Sequence, residues 1–277
     1  MQLFKKRVAL QQTLLNSSGT IGFVPTMGAL HAGHTSLIQK ATHENTLVVV
    51  SIFVNPTQFD QATDLQKYPQ QLAQDLHIIE KINPQTLVFA PSIEEIYGDQ
   101  VSSDNYFFDG LDQKMEGASR KGHFQGVATV VERLFRIVQP NTAYFGEKDF
   151  QQLLIIKKIV AQANLSIRVI GCPIVREEDG LAMSSRNQRL TSAQRAKASV
   201  LYKALCQAKE IFQNQNLHQA NEYVSNLFEL DPHMELDYFA ICNEQTLTLA
   251  EDIKQQKIRA FIAVKLGDIR LIDNLAF

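Results

Sequence analysis

The stretch of sequence that decides the fold spans residues 20–54 and reads TIGFVPTMGALHAGHTSLIQKATHENTLVVVSIFV. β-Branched and aromatic residues are concentrated at its two ends, 20–25 and 46–54, without the polar–apolar alternation of a half-solvated strand. Such runs are typical of strands that are covered on both faces, as in a parallel sheet. The segment 34–43 between them has helical composition, so the stretch predicts a β–loop–α–β unit.

The rest of the first two thirds of the chain also alternates between predicted strands and predicted helices. Apolar runs predict three further strands, and segments with helical periodicity separate them. The predicted strands are 86–90, 142–145 and 166–175, and the predicted helices include 127–138 and 150–163. Alternating strands and helices predict an α/β domain with a Rossmann-like, doubly wound parallel sheet.

The pattern changes after Val175, where a polar segment begins, and this predicts a boundary between domains 1–176 and 177–277. Thr191 is placed to cap a long helix, and a second helix is predicted at 217–228. Three strand-like runs follow at 235–241, 258–264 and 269–272, with a turn at 265–268. The second domain is therefore predicted to be a smaller α+β unit with an antiparallel sheet.

Composition excludes several classes of protein. The chain has 277 residues, of which 45% are hydrophobic, and a formal net charge of −2, so a sizeable core is expected and general disorder is not. Near-neutral charge gives no overall electrostatic reason to bind nucleic acid or an anionic membrane. The longest apolar stretch, 47–54, is far shorter than the roughly 20 residues of a membrane span.

The first residues and the cysteines of the sequence indicate a cytoplasmic protein. Residues 1–15 predict an amphipathic first helix and lack the apolar core of a secretory signal. Cys172, Cys206 and Cys242 are odd in number and without metal-ligand spacing, so they are interpreted as reduced, mostly buried thiols.

The loop after the first long strand carries the first chemical signal. Gly28 and Gly33 permit close backbone approach, and the helix that follows offers N–H groups and the positive end of a dipole to phosphate oxygens. His31 and His34 are three residues apart, so both imidazoles can lie on one face. A histidine pair can be purely structural, but two glycines and a preceding strand favour a phosphate site. Neither a P-loop nor a dinucleotide fingerprint is present.

Five motifs occur in order along the chain: PTMGALHAGH at 25–34, FVNPTQF at 53–59, GHFQGVATVVERLF at 122–135, YFGEKDFQQL at 144–153 and MSSRNQRL at 183–190. Together they resemble the pantothenate synthetases, the pantoate–β-alanine ligases of the nucleotidyltransferase superfamily. They span most of the first 190 residues, whereas the C-terminal region contributes few motif residues.

The resemblance implies a set of site residues. The expected ATP-binding residues are Met27, Gly28, Ala29, Leu30, His31, Ala32, Gly33, His34, Gly146, Glu147, Lys148, Asp149, Val175, Met183, Ser184, Ser185 and Arg186. The expected catalytic residues among them are His34, as proton donor, with His31, Lys148 and Arg186. Gln58 and Gln152 are expected to bind pantoate, and Gln58 is expected to bind β-alanine later in the reaction. The metal ligands are left open.

The implied reaction is the ATP-dependent condensation of (R)-pantoate with β-alanine through a pantoyl adenylate, with release of AMP and pyrophosphate. The resemblance also implies Mg²⁺, a homodimer, and small-molecule substrates as partners, without nucleic acid or membrane. Two positions depart from the family pattern, Gln70 where arginine is common and Lys121 where proline is common. Asp75 and Glu80 fall on a predicted helix and are expected to face solvent.

Two other functions fit the same motifs. The chain could transfer AMP or CMP to a phosphorylated acceptor, since the first loop and MSSR suit that chemistry equally well. The amides of Gln58 and Gln152 instead favour a singly charged organic acid. The chain could also be a nucleotide-binding module without catalysis, but Lys148, Arg186 and both histidines exceed what binding adenosine requires.

Overall fold

A computed structural model describes residues 1–214, 216–250 and 257–277. The chain forms two compact units. The first comprises Met1–Glu147 and Gln151–Pro173, and the second comprises Lys148–Phe150 and Ile174–Phe277. The division into domains 1–176 and 177–277 stays a prediction.

The first unit is built on a six-stranded parallel sheet with the order β1-β4-β3-β2-β5-β6. Its strands are β1 Gln2–Phe4, β2 Ile21–Thr26, β3 Leu47–Ile52, β4 Leu87–Phe89, β5 Thr142–Gly146 and β6 Arg168–Cys172. The predicted doubly wound parallel sheet is confirmed, because the chain winds from β2 towards β4 and later from β5 to β6 on the other side.

Helices of this part of the chain cover both faces of the sheet. They are α1 Arg7–Leu15, α2 Ala32–Glu44, α3 Ala62–Gln66, α4 Leu72–Ile82, α5 Ile93–Tyr97, α6 Met115–Ser119, α7 His123–Val138 and α8 Phe150–Gln162. On one face, Val24 and Val50 pack in one buried cluster with Ile38 of α2. On the other, Phe23 and Phe145 contact Phe135 of α7 edge-to-face. This two-sided burial is why the strand sequences lack alternation.

The N-terminus differs from the single helix predicted over residues 1–15. Residues 2–4 form β1, which pairs in parallel with β4, and α1 begins only at Arg7. A three-residue edge strand is too short to show a two-residue period, so the sequence carries no pattern that separates it from the helix.

The second unit contains three helices and a three-stranded antiparallel sheet with the order β7-β8-β9 within its described residues. Its elements are α9 Ser192–Ala198, α10 Val200–Asn214, α11 Leu217–Glu229, β7 Met234–Asn243, β8 Ile258–Leu266 and β9 Ile269–Ala276. The α+β prediction is confirmed. Thr191 caps α9 in a reciprocal capping box with Gln194, but the predicted long helix is divided at Ser199.

The three cysteines are free thiols, with Cys172 and Cys242 buried and Cys206 partly so. None of the helices in the described part of the chain is long and apolar enough to cross a membrane.

Candidate active site

The predicted site of the first unit lies where the winding of the sheet reverses. β2 pairs with β3 on one side and with β5 on the other. The segments after these three strands are the loop 27–31, the turn Pro56–Gln58 and the residues around Gly146 and Glu147. Open α/β sheets bind ligands at such a switch point, beyond the carboxyl ends of the strands.

The two histidines form the N-terminus of α2. His31 is the N-cap residue, and its Nδ1 accepts a hydrogen bond from the Gly33 N–H at 3.1 Å. His34 Nδ1 accepts from the His31 N–H at 3.3 Å, and the two ring centroids are 4.1 Å apart. Because each Nδ1 is an acceptor, each neutral imidazole carries its proton on Nε2. The pair therefore provides two Nε2–H donors at the positive end of a helix dipole.

The backbone N–H groups before His31 are used within the protein. The N–H of Gly28 donates to Thr26 Oγ1 at 3.1 Å. Those of Ala29 and Leu30 donate to the Asp75 carboxylate at 3.0 and 2.8 Å. Gly28 has φ of +82°, and a Cβ there would lie 2.8 Å from Asp75 Oδ2, so glycine is required by both conformation and space. These three N–H groups therefore donate within the protein. The sequence prediction concerns the N–H groups of the helix that follows, and it stays a prediction.

Asp75 corrects a sequence prediction. The predicted helix places it towards solvent, but it is only 1% exposed, whereas Glu80 on the same helix is exposed as expected. Burial raises the pKa of the Asp75 carboxyl, and the hydrogen bonds from Leu30 and Ala29 oppose that rise only in part. A charged residue in a helical pattern normally indicates the face of the helix that is exposed to solvent. The groups that bind the Asp75 carboxylate are main-chain N–H groups, and a sequence pattern does not reveal them.

Gln58 lies at the end of the turn that follows β3, and its side chain is held from two sides. Its Oε1 accepts a hydrogen bond from Asn55 Nδ2 at 3.0 Å, and its Nε2 donates to Met27 Sδ at 3.1 Å. Asn55 is buried and also donates to the Gly126 carbonyl at 3.1 Å. The structure thus brings together two predicted residues, Met27 and Gln58. Asn55 is not among the site residues expected from the sequence.

The main chain of Gln58 is fixed by α7. His123 Nδ1 lies 2.7 Å from the Gln58 carbonyl, and since a carbonyl only accepts, the neutral His123 ring carries its proton on Nδ1. A Cβ at Gly126 would lie 2.2 Å from the Thr57 carbonyl, so this glycine permits α7 to pack directly on the turn. The GHFQG motif therefore supports the turn that carries Gln58.

Gln151 and Gln152 are adjacent on α8 but have different surroundings. Gln151 is 3% exposed, donates to the carbonyls of Leu111 and Lys114 at 2.6 and 2.8 Å, and accepts from the Glu116 N–H at 3.1 Å. Gln152 is half-buried. The Gln151 amide thus binds groups within the protein, and the binding of a ligand by Gln152 stays a prediction.

In the second unit, Lys148 and Asp149 form an ion pair with 3.5 Å between Nζ and Oδ1. The Lys148 side chain is 17% exposed and that of Asp149 is 47% exposed. Of the predicted residues around the MSSR motif, the structure joins Val175 and Met183, because the Met183 N–H donates to the Val175 carbonyl at 3.0 Å.

The hydroxyl of Ser184 caps the short helical turn Ser185–Arg189 by accepting from the Arg186 N–H at 3.3 Å. Ser185 is buried and Arg186 is partly buried. The segment is therefore an ordered turn at residues 184–189, where the sequence alone indicates a polar linker.

Comparison with known proteins decides the family. The model of the pantoate–β-alanine ligase family matches residues 2–276. The chain belongs to this family. A pantothenate synthetase of Flavobacterium psychrophilum is 46% identical over 280 residues, which cover 100% of this chain and 99% of the relative. The resemblance carried by the five motifs is confirmed.

Solved structures of pantoate–β-alanine ligases have the same fold. A pantothenate synthetase of Thermus thermophilus matches with a TM-score of 0.93 and 41% identity, covering 99% of each chain. A pantoate–β-alanine ligase of Francisella tularensis, complexed with β,γ-ATP and β-alanine, matches with a TM-score of 0.84 and 37% identity, covering 100% of this chain and 97% of that one. The chain is thus an enzyme, a ligase that joins pantoate to β-alanine, rather than an AMP or CMP transferase or a silent binding module.

Proposed function

We propose that this ligase works in two steps with ATP as co-substrate. In the first, a pantoate carboxylate oxygen attacks the α-phosphorus of ATP, and the bond to the bridging oxygen of pyrophosphate breaks. In the second, the amine of β-alanine attacks the acyl carbon of the pantoyl adenylate, AMP leaves with the carboxyl oxygen, and the amine loses a proton. The observation that carries the proposal is the pair of imidazoles at the start of α2, each with its Nε2–H as a donor.

The two histidines, Lys148 and Arg186 are proposed to stabilise negative charge rather than to act as nucleophiles. Negative charge builds up on the transferring α-phosphoryl group and on the departing pyrophosphate, and fixed N–H donors and cations stabilise it. His31 and His34 supply neutral donors, whereas Lys148 and Arg186 supply full positive charges. The main-chain and hydroxyl groups of Gly146, Val175, Met183, Ser184 and Ser185 are proposed to hold the rest of the nucleotide.

Pantoate is proposed to bind through Gln58 and Gln152. An amide both donates and accepts hydrogen bonds, which matches the carboxylate and hydroxyl groups of pantoate. Asn55 and Met27 hold the Gln58 amide in one orientation, so its ordering costs little on binding.

Mg²⁺ is proposed to bind to the enzyme as a complex with ATP. In residues 1–214, 216–250 and 257–277, no group of three or more His, Cys, Asp or Glu is arranged to hold a metal ion. Mg²⁺ is commonly bound by substrate phosphates with one or two carboxylates, and Asp149, which is partly exposed, is a suitable carboxylate. The ion would neutralise the charge of the triphosphate. We further propose that the enzyme is a homodimer and acts in the cytoplasm.

The test is pyrophosphate release from Mg²⁺–ATP with D-pantoate, with β-alanine first withheld and then added. We expect a limited burst followed by sustained turnover. His34→Ala should reduce the burst rate about 100- to 1,000-fold, the usual loss for a donor of this kind. His43→Ala is the matched control, because His43 is an exposed histidine in the last turn of the same helix. A normal burst in His34→Ala would refute the role of this imidazole.

A further inference from the structure

Asp75 is the side chain that holds the main chain immediately before the two histidines. Its two carboxylate oxygens accept from consecutive N–H groups, Oδ2 from Ala29 and Oδ1 from Leu30. Consecutive N–H groups of this kind form a concavity that binds an anion. In this loop the anion is the carboxylate of α4.

The loop requires such support, because its conformation is unfavourable by itself. Ala29 is a non-glycine residue with φ of +51°, and Gly28 before it also has a positive φ. In the left-handed conformation the Cβ of an L-residue lies too close to the following carbonyl oxygen, so surrounding contacts must hold it. The next residue along the chain after Leu30 is His31, whose position determines both Nδ1 hydrogen bonds of the histidine pair.

We infer that Asp75 is a positioning residue for the adenylation step, which places the Nε2–H donors of His31 and His34 by fixing the Ala29–Leu30 main chain. This inference rests on the proposed function of the two imidazoles. Because the carboxylate already accepts both N–H groups, the substrate phosphates would meet the imidazole donors rather than the main chain of these two residues.

The electrostatics separate this role from a purely structural one. Burial raises the pKa of Asp75 in spite of the two hydrogen bonds, so at neutral pH the ionised carboxylate makes the folded state less stable than the protonated form would. A residue that lowers stability in its working state and that holds the loop of the site has the character expected of a functional residue.

The test compares Asp75→Asn with Glu80→Gln, which removes an exposed carboxylate from the same helix. The amide introduced by Asp75→Asn presents one oxygen and one NH₂ group, so it cannot accept from both N–H groups on separate oxygens. We expect kcat for pyrophosphate release to fall about 100-fold, as for a displacement of about 1 Å at a reacting centre, while KM for ATP changes much less. Glu80→Gln should match the wild type. Asp75→Glu retains the charge but moves the carboxylate, so its kcat should also fall. This variant replaces Asp75→Asn in the test if the asparagine variant does not fold.

A combined variant tests whether Asp75 acts through the imidazoles. In a chain that already carries His31→Ala and His34→Ala, adding Asp75→Asn should slow the reaction little further, because both groups that it positions are gone. A further loss of about 100-fold, as large as that expected in the wild-type background, would overturn the inference, and so would a folded Asp75→Asn enzyme with normal kcat.

A spectroscopic measurement separates failure of this inference from failure of the proposed function. The ¹⁵N chemical shifts of His31 and His34 report which ring nitrogen carries the proton, whether or not the rings take part in chemistry. Asp75→Asn should change these shifts, and Glu80→Gln should not. If His34→Ala is fully active while the shifts change, the proposed function fails and the positioning holds. Unchanged shifts in Asp75→Asn would overturn the positioning itself.

Discussion

The side-chain amide of Asn274 donates a hydrogen bond to the main-chain carbonyl of Lys148, with 2.8 Å between Nδ2 and the oxygen. Asn274 lies on β9 and is 1% exposed, and its Oδ1 accepts from Arg259 at 2.6 Å. The Arg259 guanidinium in turn lies over the ring of Phe150, 4.0 Å from the centroid. The β9 strand thus fixes the main chain that carries the proposed phosphate-binding lysine.

Asn274→Ala should therefore lower both stability and activity. The substitution removes the partner of the Lys148 carbonyl and one partner of Arg259, and an unsatisfied buried polar group costs about 1–3 kcal/mol. We expect the free energy of unfolding, measured in urea, to fall by about that amount and pyrophosphate release to slow. Asn214→Ala is the control, because Asn214 is exposed at the end of α10. Equal unfolding midpoints for Asn274→Ala and the wild type would contradict the prediction.

Lys148→Ala should nearly stop adenylation without unfolding the protein. Its ammonium is proposed to stabilise charge on the phosphates, and loss of one such group commonly costs about 100- to 1,000-fold in rate. Lys157→Ala provides the comparison, since this lysine is exposed on α8. The measurement is pyrophosphate release with pantoate and without β-alanine. A Lys148→Ala enzyme as fast as Lys157→Ala would remove the lysine from the mechanism.

The sequence predicts the fold well because its strongest signals are long and periodic. Strands β2, β3 and β5 and helices α2 and α8 fall within two residues of their predicted bounds. The β1 strand escapes sequence-based prediction, since its stability comes from pairing with β4 and three residues carry no period. Register and strand order depend on contacts between distant segments, which one sequence does not display.

The sequence predicts the candidate site less well where a residue acts indirectly, by positioning other residues. His31, His34 and Lys148 lie in sequence motifs that predict a phosphate site, whereas Asp75 and Asn274 lack a sequence pattern that predicts their roles. Each is a common polar residue whose partner is main chain far away in sequence: Leu30 for Asp75, and Lys148 for Asn274. Only the fold shows that these side chains are buried and which groups they bind.

The adjacent amides of α8 should separate stability from substrate binding. Gln151→Ala leaves the Glu116 N–H and the carbonyls of Leu111 and Lys114 without this partner, so it should lower the free energy of unfolding by about 1–3 kcal/mol. Gln152→Ala should leave the unfolding curve unchanged and raise KM for pantoate. Initial rates over a range of pantoate concentrations, together with urea unfolding, check both. If Gln152→Ala lowered the stability and Gln151→Ala raised KM for pantoate, the two glutamines would have the opposite roles.

The ionisation of Asp75 should appear in the pH dependence of stability. Its pKa in the folded state lies above the ordinary value of 3.8, so between the two pKa values the folded state holds a proton that the unfolded state has lost. Stability from this group is therefore complete below its unfolded pKa and is lost as pH rises through the raised value. We expect the free energy of unfolding of the wild type, relative to Asp75→Asn, to fall as the pH is raised from about 4 towards 7. Urea unfolding at a series of pH values measures this difference, with Glu80→Gln as the carboxylate that should show no such trend. A difference that stays constant would mean that the two hydrogen bonds balance the burial of the charge, and one that grows in favour of the wild type with rising pH would mean that they outweigh it.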